Sequence, residues 1–243
     1  MRITRSHTVF QLTFMPRLFP VNCYLVEESN GLTLIDAALP YSAKRILGAA
    51  RKIGKPITRI VLTHAHGDHV GALDALKATL GDVPVHISRR DARLLQGDVT
   101  LDPGEPNTPV RGDVPKNVAT RADVLLSEGD RVGSLMALAA PGHTPGSMAF
   151  MDVRNKALIA GDAFQTRGGF AITGQLRPLF PFPTLATWHR EVALASARKL
   201  AAQRPSLIAV GHGPMLAEPA ARLERAIARA ATQLGLTQPN GAG

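Results

Sequence analysis

The stretch ITRIVLTHAHGDHVG, residues 57–71, sets three imidazoles and a carboxylate within six positions directly after an apolar run. Residues 57–62 read as a strand, and loops at strand ends present their side chains into a shared cleft. The same device recurs downstream: LMALAAPG (135–142) runs into His143, KALIAG (156–161) into Asp162, and SLIAVG (206–211) into His212. In these three cases a glycine precedes the polar residue and frees the backbone to turn sharply. Four strands thereby deliver His64, His66, Asp68, His69, His143, Asp162 and His212. Neutral imidazole and carboxylate are the donors that borderline divalent metals prefer. Five histidines and two aspartates exceed the needs of one four-coordinate ion. Two ions sharing Asp162 use all seven and leave room for a bridging hydroxide whose pKa falls toward neutrality. This predicts a dinuclear hydrolytic centre, with zinc placed ahead of manganese, iron and cobalt.

Working outward, residues 21–26 (VNCYLV) and 32–36 (LTLID) predict an antiparallel pair turned through Ser29-Asn30-Gly31. Helical spacing of Ile46, Ala50 and Ile53 predicts a helix over 41–54, stopped by Gly54 and Pro56. Further helices are expected over 70–80, 91–96, 184–203 and 219–234, with strands at 85–87, from 123 onward and at 206–210. Residues 97–118 are rich in Pro and Gly without apolar periodicity. They read as a long loop, taken as a wall of the substrate site. One domain over residues 1–236 is expected, followed by a flexible tail, TQPNGAG, at 237–243.

The chain has 243 residues, 45% of them apolar, enough for a substantial core. No apolar stretch approaches the roughly 20 residues of a bilayer-spanning helix, and the start lacks a signal-peptide core, so a cytoplasmic, membrane-free protein is expected. The lone Cys23 excludes an internal disulfide and reads as a small buried hydrophobe. The net charge of +9 invites a nucleic-acid reading. However, the longest basic runs are pairs, and with one Trp and two Tyr stacking platforms are scarce. No specific nucleic-acid partner is expected; a small-molecule substrate with a bias toward anions is, and the protein is expected to be a monomer or homodimer.

HAHGDH, PGHTPGS, AGDAF and VGHGP, in that order, together with LTLIDAAL at 32–39, resemble the metallo-β-lactamase superfamily over about residues 21–216. The resemblance implies an α/β fold, an αββα sandwich of two mixed sheets flanked by helices, with metals at the sheet edges. Carried over, His64, His66 and His143 hold one ion, Asp68, His69 and His212 the other, and Asp162 bridges them. Asp68 then lies nearest the attacking oxygen, as the catalytic residue that orients it or accepts its proton. Asp162 stands where classical β-lactamases carry Cys or Ser. Glyoxalase II relatives add a helical thiol-binding domain, for which the 31 residues after His212 leave no room. Lactonases match better in length, although Gln165 stands where many carry Tyr. The expected activity is hydrolysis of a lactone, carboxylic ester or thioester. Phosphodiester cleavage and iron redox chemistry, as in dioxygenase relatives, are the alternatives.

Outside the motifs, Asp36 reads as a buried loop-ordering carboxylate. His7, His86 and His189 read as structural or surface side chains. Phe164, Phe170, Phe180, Phe182 and Trp188 divide between an apolar pocket and core packing, and Arg167 and Arg177 read as solvated surface cations ahead of contacts to an anionic substrate.

Overall fold

A computed structural model describes residues 1–236; the expected tail at 237–243 lies outside the described residues. Seven strands form the first sheet in chain order: β1 (Arg2–Ser6), β2 (Val9–Phe14), β3 (Val21–Glu28), β4 (Gly31–Ile35), β5 (Ile57–Val61), β6 (Val85–Ser88) and β7 (Val124–Leu126). The first four pair antiparallel, and β4 to β7 run parallel. Between them lie helices α1 (Ala43–Ile53), α2 (Gly67–Val70), α3 (Leu73–Leu80) and α4 (Arg89–Leu94). The chain continues through β8 (Arg131–Val132), β9 (Leu135–Ala139), β10 (Met148–Asp152), β11 (Ala157–Ile159), and a small hairpin of β12 (Phe164–Gln165) and β13 (Ala171–Ile172). It closes with α5 (Phe182–Leu185), α6 (Arg190–Ala202), β14 (Leu207–Ala209), β15 (Leu216–Ala217) and α7 (Ala220–Gln233). The second sheet has the order β15-β14-β11-β10-β9-β8.

Because side chains alternate across a strand, one sequence feeds two cores. Val9, Tyr24, Val26, Ile35 and Val61 point from the first sheet into a layer shared with Phe150 and Ile159 of the second. Their neighbours Phe10, Leu12, Leu25, Leu34 and Ile60 face the other way, onto Ile46 of α1 and Leu73 and Leu76 of α3. The outer face of the second sheet, with Leu158 and Ile208, packs on Leu194 and Leu200 of α6 and Leu223 and Ala226 of α7. Three cores in four layers make the expected αββα sandwich. Strands buried on both faces read as continuous apolar runs rather than alternating ones.

Four elements differ from the sequence reading. The strands β1 and β2 form where none was expected. Phe10, Leu12 and Phe14 alternate with Gln11 and Thr13 at the period of a half-buried strand, yet both polar residues are buried as well. The helix expected over 70–80 starts earlier and breaks: Gly71 packs against Pro40 and Ala38, where a Cβ would come within 2.6 Å of Pro40 Cδ, and Ala72 leaves helical geometry at φ −96° and ψ 7°. The helix expected over 184–203 is two, separated at His189, which is extended at φ −145° and caps α6 through its ring nitrogen. Residues 97–118 contain no regular element, as expected.

The inter-sheet layer is the part of the core that no helix can compensate. Phe150→Ala, at a side chain with no exposure, is expected to lower the unfolding free energy by about 3–5 kcal/mol in chemical denaturation, whereas Ile3→Ala, on the exposed edge strand, changes it by less than about 0.5 kcal/mol.

Candidate metal centre

All seven expected side chains converge at the end of the two sheets. His64, His66 and His143 form one group whose donor atoms lie within 4.8 Å of one another; Asp68, His69 and His212 form a second; and Asp162 joins His64 and His69 in a third, between the other two. Asp162 reaches both sides: its Oδ2 lies 3.3 Å from His143 Nε2 and 3.1 Å from His212 Nε2, and its Oδ1 lies 3.4 Å from His69 Nε2. Asp68 is half-buried, with Oδ2 3.4 Å from His212 Nε2.

The direction of every imidazole is fixed from outside. His212 Nδ1 donates to Pro20 O (2.8 Å) and His66 Nε2 to Arg111 O (2.8 Å), since a carbonyl can only accept. His69 Nδ1 donates to Asp36 Oδ2 (2.8 Å). Thr63 Oγ1 gives its proton to the same Asp36 oxygen, so it accepts from His64 Nδ1 (3.0 Å). Thr187 Oγ1 donates to Pro183 O, which makes Thr173 Oγ1 the donor to Thr187 and therefore the acceptor for His143 Nδ1 (3.0 Å). Each ring therefore carries its proton on the outer nitrogen and turns its other nitrogen toward the centre, the tautomer control that orients metal-binding histidines.

These inward atoms have little to bind. His64 Nε2, His69 Nε2 and Asp162 Oδ1 are buried without a hydrogen-bond partner, an expensive condition for a polar atom. Burial, and then the neighbouring imidazoles, hold His64 well below its ordinary pKa. Burial is also what lowers His66 and His143. His69 and His212 move up, because the Asp162 carboxylate outweighs a burial that alone would lower them. Asp162 is held well below the carboxylate range by His212 and His69 against its own burial. A dry carboxylate that draws protons onto its neighbours marks a position that demands positive charge, and imidazole nitrogens aimed at it suit a divalent cation. The donor set therefore fits the metal ions.

Local backbone explains the glycines. Gly142 (φ +136°) and Gly161 (φ +49°) adopt conformations that L side chains rarely take, while Gly211 is needed for close approach: a Cβ there would sit 1.9 Å from Asp162 Oδ1. Asp36, itself at φ +61°, orders the loop as expected, accepting from Thr63 N (2.8 Å) as well as from Thr63 Oγ1 and His69. A polar clamp holds the His212 turn. Asn22 Nδ2 donates to Val210 O and Gly213 O, Gln11 Nε2 to Gly213 O, and Tyr24 Oη to Val210 O, all within 2.8 Å.

Sequence reasoning missed one carboxylate. Asp91, wholly buried in α4, accepts from Ala65 N (3.1 Å) in the first histidine loop and from Thr144 Oγ1 (2.7 Å) and Gly146 N (2.8 Å) in the second. It sits where an acidic first-turn residue is ordinary, so only its place between the two loops distinguishes it.

A cleft of about 360 Å³ opens onto the centre. His66, Asp68, His143, Asp162 and His212 form its floor, and Gly112 and Asp113 of the long loop form one wall. The loop is held by Gly67 N donating to Asp113 O (2.8 Å) and Trp188 Nε1 donating to Thr108 O (2.8 Å). The opposite wall is apolar: Phe19, Phe182, Pro183, Leu185 and Ala186. Phe180 lies buried beside Phe19 and His212, whereas Phe164 and Phe170 stack on each other in the second core. Cys23 is buried, His7 is exposed and His86 lies on β6, all apart from the centre. Arg167 donates to Arg17 O and does not line the cleft.

The sequence pattern of the metallo-beta-lactamase superfamily matches residues 16–212. The chain is 57% identical over 230 residues to the uncharacterized protein YobT of Bacillus subtilis, covering 95% of this chain and 99% of that one. It is 30% identical over 213 residues to the probable metallo-hydrolase YflN of the same organism, covering 79% and 80%. Among solved structures, TTHA1623 in a di-iron-bound form superposes with a TM-score of 0.66 at 28% identity, over 88% of this chain and 96% of that one.

Asp91→Asn keeps the volume but turns an amide donor toward groups that need an acceptor. It is expected to lower the unfolding free energy by about 2–4 kcal/mol in chemical denaturation. The double variant with Thr144→Val is expected to be less than additive, because the two side chains share one hydrogen bond.

Proposed function

The chain belongs to the metallo-β-lactamase superfamily and is a metal-dependent hydrolase; on that footing we propose that it cleaves a lactone, carboxylic ester or thioester in a small molecule bearing an apolar group. The observation that carries this reading is the set of inward-facing imidazole nitrogens around the dry Asp162 carboxylate. In this reading His64, His66 and His143 hold one divalent ion, Asp68, His69 and His212 a second, and Asp162 lies between. Zinc is the first choice, with manganese, iron and cobalt suited to the same donors. When bound, such ions supply a nucleophile at neutral pH and a Lewis acid for the scissile carbonyl.

The chain's own residues do the rest. Asp68 is the more exposed of the two donor-set carboxylates on the cleft floor, and its Oδ2 is the atom placed to orient the attacking oxygen and accept its proton. Asp36, Thr63 and Thr173 accept from the outer nitrogens of His69, His64 and His143 and so aim the other ring nitrogen of each at the centre. The apolar wall seats the part of the substrate that does not react and excludes water from the floor. Half-exposed Phe182 and exposed Leu185 extend that wall outward. An apolar wall beside a polar floor suits an acyl or aryl substituent better than a fully charged substrate.

Elemental analysis of the purified chain is expected to give about two divalent ions per chain, with turnover of lactone, ester or thioester substrates lost on chelation and restored by metal. Turnover of bis-p-nitrophenyl phosphate alone would overturn the bond class. Phe182→Ala is expected to raise KM about 3–10-fold for substrates with a long apolar substituent, while leaving kcat and the KM of a short-chain analogue nearly unchanged; steady-state kinetics across a chain-length series reads this directly.

A further inference from the structure

We propose that the hollow between α7 and the segment joining β12 to β13 binds a compact phosphate-bearing anion through Arg177, Arg222, Arg225 and Arg229. The hollow measures about 220 Å³, and among the described residues Gly169, Phe170 and Ala226 complete its walls.

Four arginines line one hollow, Arg222, Arg225 and Arg229 exposed on α7 and Arg177 half-buried, and among the described residues no carboxylate lines it with them. Elsewhere the arginines that face a carboxylate pair with it: Arg5 with Glu27, Arg90 with Glu105, Arg93 with Asp98 and Arg154 with Asp152. Among the described residues the four arginines of the hollow make no such pair. Arg222, Arg225 and Arg229 are three and four positions apart, which stacks them on one face of α7, and like charges at that spacing destabilise a helix. The helix has one carboxylate, Glu224, and it lines a different hollow, with Glu218 and Arg204. Arg177 comes from the other side and is partly buried; one of its terminal nitrogens donates to Phe170 O, while its buried Nε–H has no acceptor. Burial, and then the charge of Arg229, press its pKa down. A fold that gathers like charges and desolvates one of them loses stability unless an anion occupies the gap.

The chemistry of the occupant follows from the donors. Guanidinium forks match phosphate oxygens bidentately, and four of them around one small open hollow suit two or more negative charges in a small volume. A polymeric anion needs a track of cations, and this group ends within two turns of one helix. Phe170 offers the hollow an aromatic ring, backed by Phe164 in a stack with centroids 5.6 Å apart. The shared chemistry is therefore a di- or oligophosphate, free or carried on a nucleoside. The site is separate from the cleft and independent of the hydrolase reading, because none of the four arginines lines the metal centre.

Inorganic pyrophosphate titrated calorimetrically into the metal-loaded chain tests this against the variant R225Q/R229Q. The wild-type chain is expected to bind, and the variant to bind at least about tenfold more weakly, with its metal content, melting temperature and hydrolytic turnover without the anion unchanged. The single variant R222Q is expected to give a partial loss. A nucleoside diphosphate that binds more tightly than pyrophosphate supports the site with a base stacked on Phe170; equal binding supports it with free phosphate as the ligand. Equal pyrophosphate affinity in wild type and double variant puts the anion at the metal centre and overturns the proposal. So does binding of an oligonucleotide, or of phosphatidylglycerol vesicles, by a chain that ignores pyrophosphate.

Discussion

The carboxylate of Asp91 is the constraint on which the centre depends. The loop carrying His64, His66, Asp68 and His69 leaves the first sheet, and the loop carrying His143 leaves the second; a backbone bond from Met148 N to Thr63 O (2.8 Å) joins them at their roots. Asp91 joins the loops themselves, accepting from Ala65 N in the one and from Thr144 Oγ1 and Gly146 N in the other. An ionised carboxylate in so dry a place costs several kcal/mol of lost hydration. Charge-assisted hydrogen bonds offset that only while all the donors stay aligned. Rotation of either loop would strand the charge. Close packing reinforces the joint: a Cβ on Gly146 would lie 2.5 Å from Asp91 N.

Asp36 applies the same physics one step nearer the centre. It ties Thr63 to His69, and through the Thr63 hydroxyl it fixes the ring of His64 as well. Asp36, Asp68, Asp91 and Asp162 crowd this end of the sandwich, and among the described residues none of them pairs with a lysine or arginine. The excess negative charge is met by backbone N–H groups, hydroxyls and imidazoles. That leaves Asp162 drawing protons onto His69 and His212, a positive charge that a divalent cation would supply instead.

The seven side chains at the centre were legible because each follows an apolar strand in the sequence, so their convergence needed no knowledge of tertiary packing. Asp36 was legible for the same reason. The acceptors that set the imidazole protons were not: Pro20 and Arg111 act through main-chain carbonyls, which leave no trace in residue identity. Asp91 was invisible because its partners lie 26 and 53 positions away in sequence. The strand β2 was legible in the alternation of Phe10, Leu12 and Phe14 with Gln11 and Thr13 and went unread; what residue identity could not show is that both polar side chains are buried, Gln11 serving the clamp on the His212 turn. The split of the helix expected over 184–203 turns on His189, whose capping role depends on its extended backbone rather than its identity. The arginine cluster escaped because the charges become adjacent only when α7 winds and Arg177 docks against it.

The apolar wall and the metal centre are not independent parts. Phe19 meets His212 edge-on with centroids 5.3 Å apart, and Phe180 packs on the same ring at 5.3 Å. The packing that would recognise an apolar substituent is therefore also the packing that, with Pro20 O, sets the orientation of His212. Any change at Phe19 or Phe180 moves a floor residue along with the wall. Phe182 meets Phe19 and Phe180 edge-to-face, and Leu185 stands exposed at the edge; the aromatic contacts of Phe182 stop at those two rings. Substitution there alters the shape of the cleft while the inner pair still holds the imidazole. Substrate preference in this fold can therefore diverge at the outer rim, at 182 and 185, whereas positions 19 and 180 are bound to the requirements of His212.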